Sequence, residues 1–205
     1  MRGQTGAGTA QTAWRLERWL LILVILLAFG RGVWALGTKS LWWDESLSLH
    51  RAEGTLGYVL SNKIVLTDTI YSVDTIDNHP PLYFLLLWGT IRLLGNTELA
   101  LRFPSLAFAV LLVPLLYVTG RRLVDRWAGL GVATLAALSP MYLWYAQEAR
   151  MYTMLAFLSL LSFYLFIRAF LDTPGQLDLK GRWRWVVAYG LVTLCLVLTH
   201  HLSSL

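Results

Sequence analysis

The arginines of this chain stand at the ends of long apolar runs. Arg15 and Arg18 precede one, Arg121, Arg122 and Arg126 separate two others, and Arg182 and Arg184 lead into the last. An apolar stretch of about 20 residues crosses ~30 Å of hydrocarbon, and its basic flank marks the cytoplasmic side. The composition agrees: 57% of residues are apolar and 14% charged, against ~25% charged in a soluble domain. The pattern predicts an all-α polytopic membrane protein. The net charge of +5 does not point to nucleic acid, because no basic run with interleaved polar residues is present, and no nucleic-acid partner is expected. Cys195 is the only cysteine, which excludes an internal disulfide or a cysteine-based metal site.

The charge rule sets a topology of about five spans, at 19–36, 99–119, 127–144, 153–170 and 185–199, with the N-terminus cytoplasmic and a first outer loop at 37–98. Residues 1–13, rich in Gly, Thr and Ala, are expected to be disordered. The first run has no small-residue cleavage site and reads as a retained span, with Arg31 snorkelling from its far end. Within the loop, Asn78-His79-Pro80-Pro81 opens the apolar run 82–94. Its ~13 residues are too few to cross, so an interfacial helix is expected. Were it to cross, Arg121 and Arg122 would face outward. Pro140 is expected to loosen or kink the outer turn of the third span. This placement puts all four histidines and eight of the twelve acids on the outer side. The ending Leu202-Ser203-Ser204-Leu205 looks like the approach to another element, so the chain is expected to be the N-terminal part of a longer protein.

Acids are costly in so apolar a chain unless they meet water, a metal or a cation. Asp44 and Glu45, behind Trp42 and Trp43 and just after the first span, are therefore the leading candidates for chemistry. A carboxylate at the boundary can act as a general base or bind a divalent cation. The plainer reading is a solvated loop start with an aromatic belt. His79, at a helix start, suits a phosphate or a metal, or is a polar cap. Glu148 and Arg150 lie among Tyr142, Trp144, Tyr145 and Tyr152, where an arginine can grip a phosphate, or where a local ion pair closes a turn. His200-His201 reads as interfacial, since one sequential pair cannot complete a metal's coordination sphere. Asp74 and Asp77 read as solvated loop acids. Ionisable residues gather at the outer boundary rather than at mid-membrane, which disfavours a transporter.

Several of these stretches together resemble a known family. They are Trp43-Asp44-Glu45, His79-Pro80-Pro81-Leu82, Leu101-Arg102-Phe103-Pro104-Ser105, Gly120-Arg121-Arg122-Leu123, and Leu138-Ser139-Pro140 followed by Gln147-Glu148-Ala149-Arg150-Met151-Tyr152. In order and spacing they are similar to the polyprenyl-phosphate-sugar-dependent membrane glycosyltransferases of the C-type fold (glycosyltransferase family 39). That group includes protein O-mannosyltransferases and the lipid A aminoarabinose transferase. The resemblance runs from about residue 15 to 205.

It implies an integral membrane enzyme, in a bacterial plasma membrane, with its site on the outer face. Such an enzyme takes a sugar from a polyprenyl-phosphate donor and passes it, with inversion, to a lipid, glycan or protein acceptor. Asp44 matches the family's acid in the first outer loop, with Glu45 beside it as the second catalytic candidate. His79, Glu148, Arg150 and Tyr152 fall in substrate-binding positions. Near the position of His79 the aminoarabinose transferase binds carrier phosphate through a lysine, where this chain has a histidine. A divalent metal ion occurs in some relatives and is left open; no other cofactor is implied. Members are usually longer, with more spans and often an outer domain. The alternative is a non-catalytic lipid-carrier-binding or assembly protein of the same fold.

Overall fold

A computed structural model of the chain describes residues 5–67, 72–171 and 179–201. The protein is largely α-helical. Helix α1 (Thr5–Val33) is followed by α2 (Trp43–Glu53) and the short α3 (Leu56–Leu60). Strands β1 (Lys63–Thr67) and β2 (Ser72–Ile76) then form an antiparallel hairpin, with Lys63 opposite Ile76 and Thr67 opposite Ser72. Helices α4 (Leu82–Leu94), α5 (Glu98–Leu123), α6 (Arg126–Leu138), α7 (Pro140–Ala146), α8 (Tyr152–Phe166) and α9 (Leu179–Val197) complete the described chain, and a π-helical turn, Ile167–Leu171, extends α8.

Among the described residues, two helices are long and apolar enough to cross a membrane: α5, and α8 with its π-helical extension, Tyr152–Leu171. The five expected spans are therefore not all matched by span-length apolar helices. The reasons are local. Helix α1 is long, but Arg15, Glu17, Arg18 and Arg31 lie within it; α9 carries Lys180, Arg182 and Arg184 in its first turns. The third expected span is divided at Ser139. Its Oγ accepts from the Tyr142 amide at 3.3 Å to start α7, leaving Ser139 as the single residue between the two helices. A proline at N1 has no amide to continue the earlier ladder, so the expected kink is a full break.

Three further expectations change. Residues 5–13 belong to α1 rather than to a disordered tail, because adding residues to an existing helix is cheap once it is nucleated. Arg31 does not simply snorkel, since its guanidinium hydrogen-bonds the Ala137 carbonyl and ties α1 to α6. The chain is not all-α: the sequence places β-branched Ile64, Val65, Val73, Thr75 and Ile76 in the two strands of the hairpin. Residues 202–205, read as the approach to another element, lie outside the described residues.

Helix α4 fits the interfacial expectation in length: its 13 residues rise only about 20 Å. Its Tyr83, Phe84 and Leu87 are buried with Leu101 of α5 and with Met151, Met154 and Leu158 around the start of α8. A second core joins Val24 and Ala28 of α1 to Val113 and Tyr117 of α5 and to Leu130 and Ala133 of α6. The turn between α5 and α6 is tight because glycines face each other. A Cβ at Gly129 would lie 2.5 Å from the Tyr117 carbonyl oxygen and 2.8 Å from the Arg121 amide nitrogen. Both are backbone atoms and cannot rotate away. Gly129→Ala is expected to destabilise the protein by about 1–3 kcal/mol, read as a lower thermal midpoint in detergent; an unchanged midpoint would show that the two helices separate freely.

Candidate functional site

The start of α2, the start of α5 and the turn between α7 and α8 meet around one buried ion pair. Glu45 sits in the first turn of α2, where a carboxylate is favoured by the helix dipole. It is 1% exposed, and its partner Arg102, one turn into α5, is 4% exposed. Arg102 Nε donates to Glu45 Oε1 at 2.8 Å and Nη2 to Oε2 at 2.7 Å, a bidentate pair. The remaining guanidinium donors reach the carbonyls of Leu36, Lys39 and Ser40 at 2.8–3.2 Å. Glu45 also accepts from the amides of Ala149 at 2.8 Å and Trp42 at 3.3 Å. Both side chains are fully engaged. Together they fasten the α1–α2 connection and the α7–α8 turn to α5.

Asp44 is placed differently. Its side chain is 35% exposed, and Arg150 Nη2 stands 4.0 Å from Oδ2. Arg150 is buried, yet its other contacts are long: Nη1 lies 3.4 Å from the Asp44 carbonyl and from Ser48 Oγ. Its Nε is buried with no hydrogen-bond partner. The backbone of Arg150 is held firmly, because Tyr83 donates to Ser105 Oγ at 3.0 Å and Ser105 donates to the Arg150 carbonyl at 2.9 Å. Thr153 Oγ1 adds a bond to the Ser105 carbonyl at 2.8 Å. A rigid backbone thus carries an arginine head with donor capacity to spare.

Glu148 is 6% exposed. Burial pushes its carboxyl above the usual carboxylate range; the Trp144 side chain and Arg150 oppose this, while Glu45 and Asp44 reinforce it. With Trp42, Trp144, Gln147, Lys39, Glu45 and Arg102 it lines a cavity of about 270 Å³, near the lower end of volumes that take a small ligand. Gln147 Nε2 donates to the Gly32 and Trp34 carbonyls at 3.1 and 2.8 Å, closing that side. The Tyr152 ring packs at a 60° tilt against Tyr145, ring centres 5.0 Å apart, and its centre lies 5.9 Å from the Arg150 guanidinium carbon. A larger cavity, about 790 Å³, lies at the Arg121–Arg122 end of α5 between Tyr117 and Phe163. It is roughly 30 Å along the helix from Arg102.

His79 belongs to a second cluster. Arg51 of α2, fully buried, donates to Asp77 Oδ2 at 2.9 Å, to the His79 carbonyl at 2.9 Å, to the Val59 carbonyl at 3.0 Å and to Asn62 Oδ1 at 2.5 Å. Its guanidinium lies 3.9 Å above the Phe84 ring. Asp77 Oδ1 faces His79 Nδ1 at 2.5 Å and accepts from its amide at 3.1 Å. Asp77 is therefore not a solvated loop acid. The side chain of Asp74, on β2, lies outside the described residues. His200 meets the His79 ring edge-on at 5.5 Å, and His201 Nε2 contacts the Asn78 carbonyl. The histidine pair thus packs against the His79 turn rather than only marking a helix end. Burial lowers the His200 pKa, and His79, His201 and Arg150 push the same way. Arg150 therefore lies within electrostatic reach of this cluster.

Burial raises the Asp77 pKa, but the hydrogen bonds from His79 and Arg51 outweigh it and bring the carboxyl from an ordinary 3.8 to about 2. A depressed carboxylate contributes stability above its unfolded pKa and loses it as pH falls through the folded one. The contribution is on the order of 2 kcal/mol. The wild-type thermal midpoint is expected to fall between pH 4 and pH 2 more steeply than that of Asp77→Asn; parallel curves would remove Asp77 from this role.

Sequence reasoning singled out Asp44, Glu45, Glu148, Arg150 and Tyr152, and the structure brings these together. His79 sits in the adjoining cluster. It missed Arg102 and Arg51. Arg102 had a signal: an arginine one turn into an apolar run demands a partner. Arg51 had none, lying in a loop with charges of both signs. Among the described residues, no three His, Cys, Asp or Glu side chains converge as a metal site. Glu45 has no free oxygen to offer.

The family model for dolichyl-phosphate-mannose-protein mannosyltransferases matches residues 78–199, more than half of the chain. The matched stretch holds His79, Arg102, Glu148, Arg150 and Tyr152 and begins after Asp44 and Glu45. Comparison with curated proteins and with solved structures gave no match. On this match, with the helical architecture and the arginine-rich site that accompany it, the chain belongs to the dolichyl-phosphate-mannose-protein mannosyltransferase family.

Proposed function

We propose that the chain carries the donor-side active site of an integral membrane glycosyltransferase, which moves a sugar from a polyprenyl-phosphate carrier to a lipid, glycan or protein acceptor with inversion. The observation that carries this reading is the unequal use of two neighbouring acid–arginine sets. Glu45 and Arg102 spend all their capacity on each other and on backbone. Asp44 and Arg150 stay 4.0 Å apart, with Asp44 partly exposed and Arg150 Nε unpartnered. The first set builds the site and the second is left to act.

In this reading Arg150 binds the carrier phosphate. Asp44 takes the proton from the acceptor hydroxyl as its oxygen bonds the anomeric carbon from the opposite face. The bond from that carbon to the phosphate oxygen breaks, and its electron pair leaves with the phosphate. The departing phosphate gains charge, so a cation held in place by rigid backbone lowers the barrier more than an acid would. A carboxylate base is how inverting glycosidases activate a nucleophile; with Asp44 4.0 Å from Arg150, the donor must part the two side chains to place them on opposite faces of the sugar. Glu148, Trp42 and Trp144 line the cavity that offers space for the sugar, and Tyr152 lies beside Arg150.

The five-span arrangement, with the N-terminus cytoplasmic and Asp44, His79 and Glu148 on the outer face of a bacterial plasma membrane, belongs to the same proposal. The arginine-flanked ends of α1 and α9 suit helices whose charges snorkel to the interface, and α4 would lie beside the carrier's tail. The test is sugar transfer or donor hydrolysis in membranes, with a panel of polyprenyl-phosphate sugars and the longest natural chain containing this sequence. Transfer from at least one donor, with an inverted product, is expected. Carrier binding without turnover of any donor would replace this reading with a carrier-binding or assembly role.

A further inference from the structure

The Arg51–Asp77–His79 cluster has no part in the reaction above. A buried arginine whose two terminal nitrogens are matched by four acceptors is a costly way to tie a loop, because apolar replacements of such pairs are often no less stable. Its geometry does something more specific. Asp77 Oδ2 is held by Arg51 at 2.9 Å, which leaves Oδ1 against His79 Nδ1 at 2.5 Å. A carboxylate there keeps the proton on Nδ1 and fixes the ring plane. In the neutral ring Nε2 is then an acceptor only. The His79 side chain is 32% exposed. His200 lies edge-on to it, and the electrostatic reach of Arg150 extends to His200. Among the described residues, the charged and titratable groups facing His79 are Asp77, with Arg51 behind it, and His200, with His201 and Arg150 beyond.

We propose that Arg51 and Asp77 are positioning residues that hold His79 with Nε2 presented as a hydrogen-bond acceptor for a hydroxyl of the sugar or acceptor, rather than as a donor to the carrier phosphate. This rests on the glycosyltransferase reading for its substrate. An anionic phosphate oxygen has no proton to give to an Nε2 lone pair, whereas a sugar hydroxyl does. Arg150, with its unpartnered Nε, already supplies the phosphate with a donor.

Two substitutions separate these roles at pH 8, in the full-length natural chain. Glutamine at 79 offers an acceptor oxygen; lysine offers only donors and a permanent charge. His79→Gln is expected to keep turnover within about 10-fold of wild type, while His79→Lys loses about 100-fold or more. The reverse order, with Lys the better substitute, would overturn the proposal in favour of a phosphate contact. Asp77→Asn is expected to lower kcat about 10-fold or more with donor KM little changed. Combined with His79→Ala it should add almost nothing, because the two act as a unit. Additive losses would reduce Asp77 to a structural role.

If Asp77→Asn fails to fold because Arg51 is left unpaired, the Arg51→Met/Asp77→Asn double variant removes the stranded charge and is measured in its place. A readout independent of activity is the ¹⁵N spectrum of labelled histidine, assigned with His79→Gln. The wild type should show one ring locked with its proton on Nδ1, and the Asp77 variant should show a mixture of tautomers. An unlocked ring in the wild type would sink the positioning claim. A locked ring in a protein inert toward every donor would sink only the glycosyltransferase reading.

Discussion

Replacing Asp44 with asparagine is expected to lower kcat by about 10²–10⁴, the range over which a positioned general base contributes, while leaving the protein folded. The side chain is 35% exposed, and the Arg150 guanidinium stands 4.0 Å away, so the ion pair lost is partly screened and worth under about 1 kcal/mol. Asparagine keeps the shape and can still accept a hydrogen bond from Arg150, but it cannot take a proton from an incoming hydroxyl. Donor binding, measured as KM or by direct titration with the polyprenyl phosphate, should therefore change little. This split between kcat and KM assigns Asp44 to the chemical step. Full activity in Asp44→Asn would move the base elsewhere, and Glu148, buried beside the cavity, would be next.

The second large effect is on stability. Arg102→Met is expected to destabilise the protein by about 3–5 kcal/mol, because it strands a buried carboxylate. For a chain of this size that corresponds to a fall of ~10 °C or more in thermal midpoint. Glu45 would keep only the Ala149 and Trp42 amides, and the carbonyls of Leu36, Lys39 and Ser40 would lose their donor. The Arg102→Met/Glu45→Met double variant should recover part of the loss, since apolar residues tolerate the site. It should not recover all of it, because those carbonyls remain unsatisfied at about 1–3 kcal/mol for each one that stays dry. A single variant within about 1 kcal/mol of wild type would mean that water enters and the pair does not organise the site. Activity should fall in both variants, as the start of α2 and the α7–α8 turn lose their common anchor.

The two predictions separate adjacent residues of one motif. In sequence, Asp44 and Glu45 are equivalent: same class, same position after an apolar run. In a helix, neighbouring side chains point about 100° apart, so one can face the α5 arginine while the other faces the opening. Which one does so depends on the direction in which α2 leaves the chain, and that is set by Arg102 gripping the connection before it. The hairpin was hidden for a similar reason: its short runs, five residues per strand, match loop composition as well as strand.

What the sequence determined by itself was everything governed by local composition. Helix α4 is short because its apolar run is short. The break at Ser139 follows from Pro140, and the start of α6 from Asp125, whose Oδ1 accepts from the Trp127 and Ala128 amides at 2.8 Å. The clustering of acids and histidines away from the Arg121–Arg122 end is likewise visible in the order of residues. Only the tertiary structure decided which charges meet. Glu45 pairs with Arg102 and Arg51 with Asp77 across long stretches of chain, and several other arginines were equally available by type. A buried charge selects its partner by distance and geometry after the helices pack, because the desolvation cost is recovered only by close, well-aligned contacts. Those same contacts leave Asp44 and Arg150 incompletely satisfied, and local sequence carries no record of that difference.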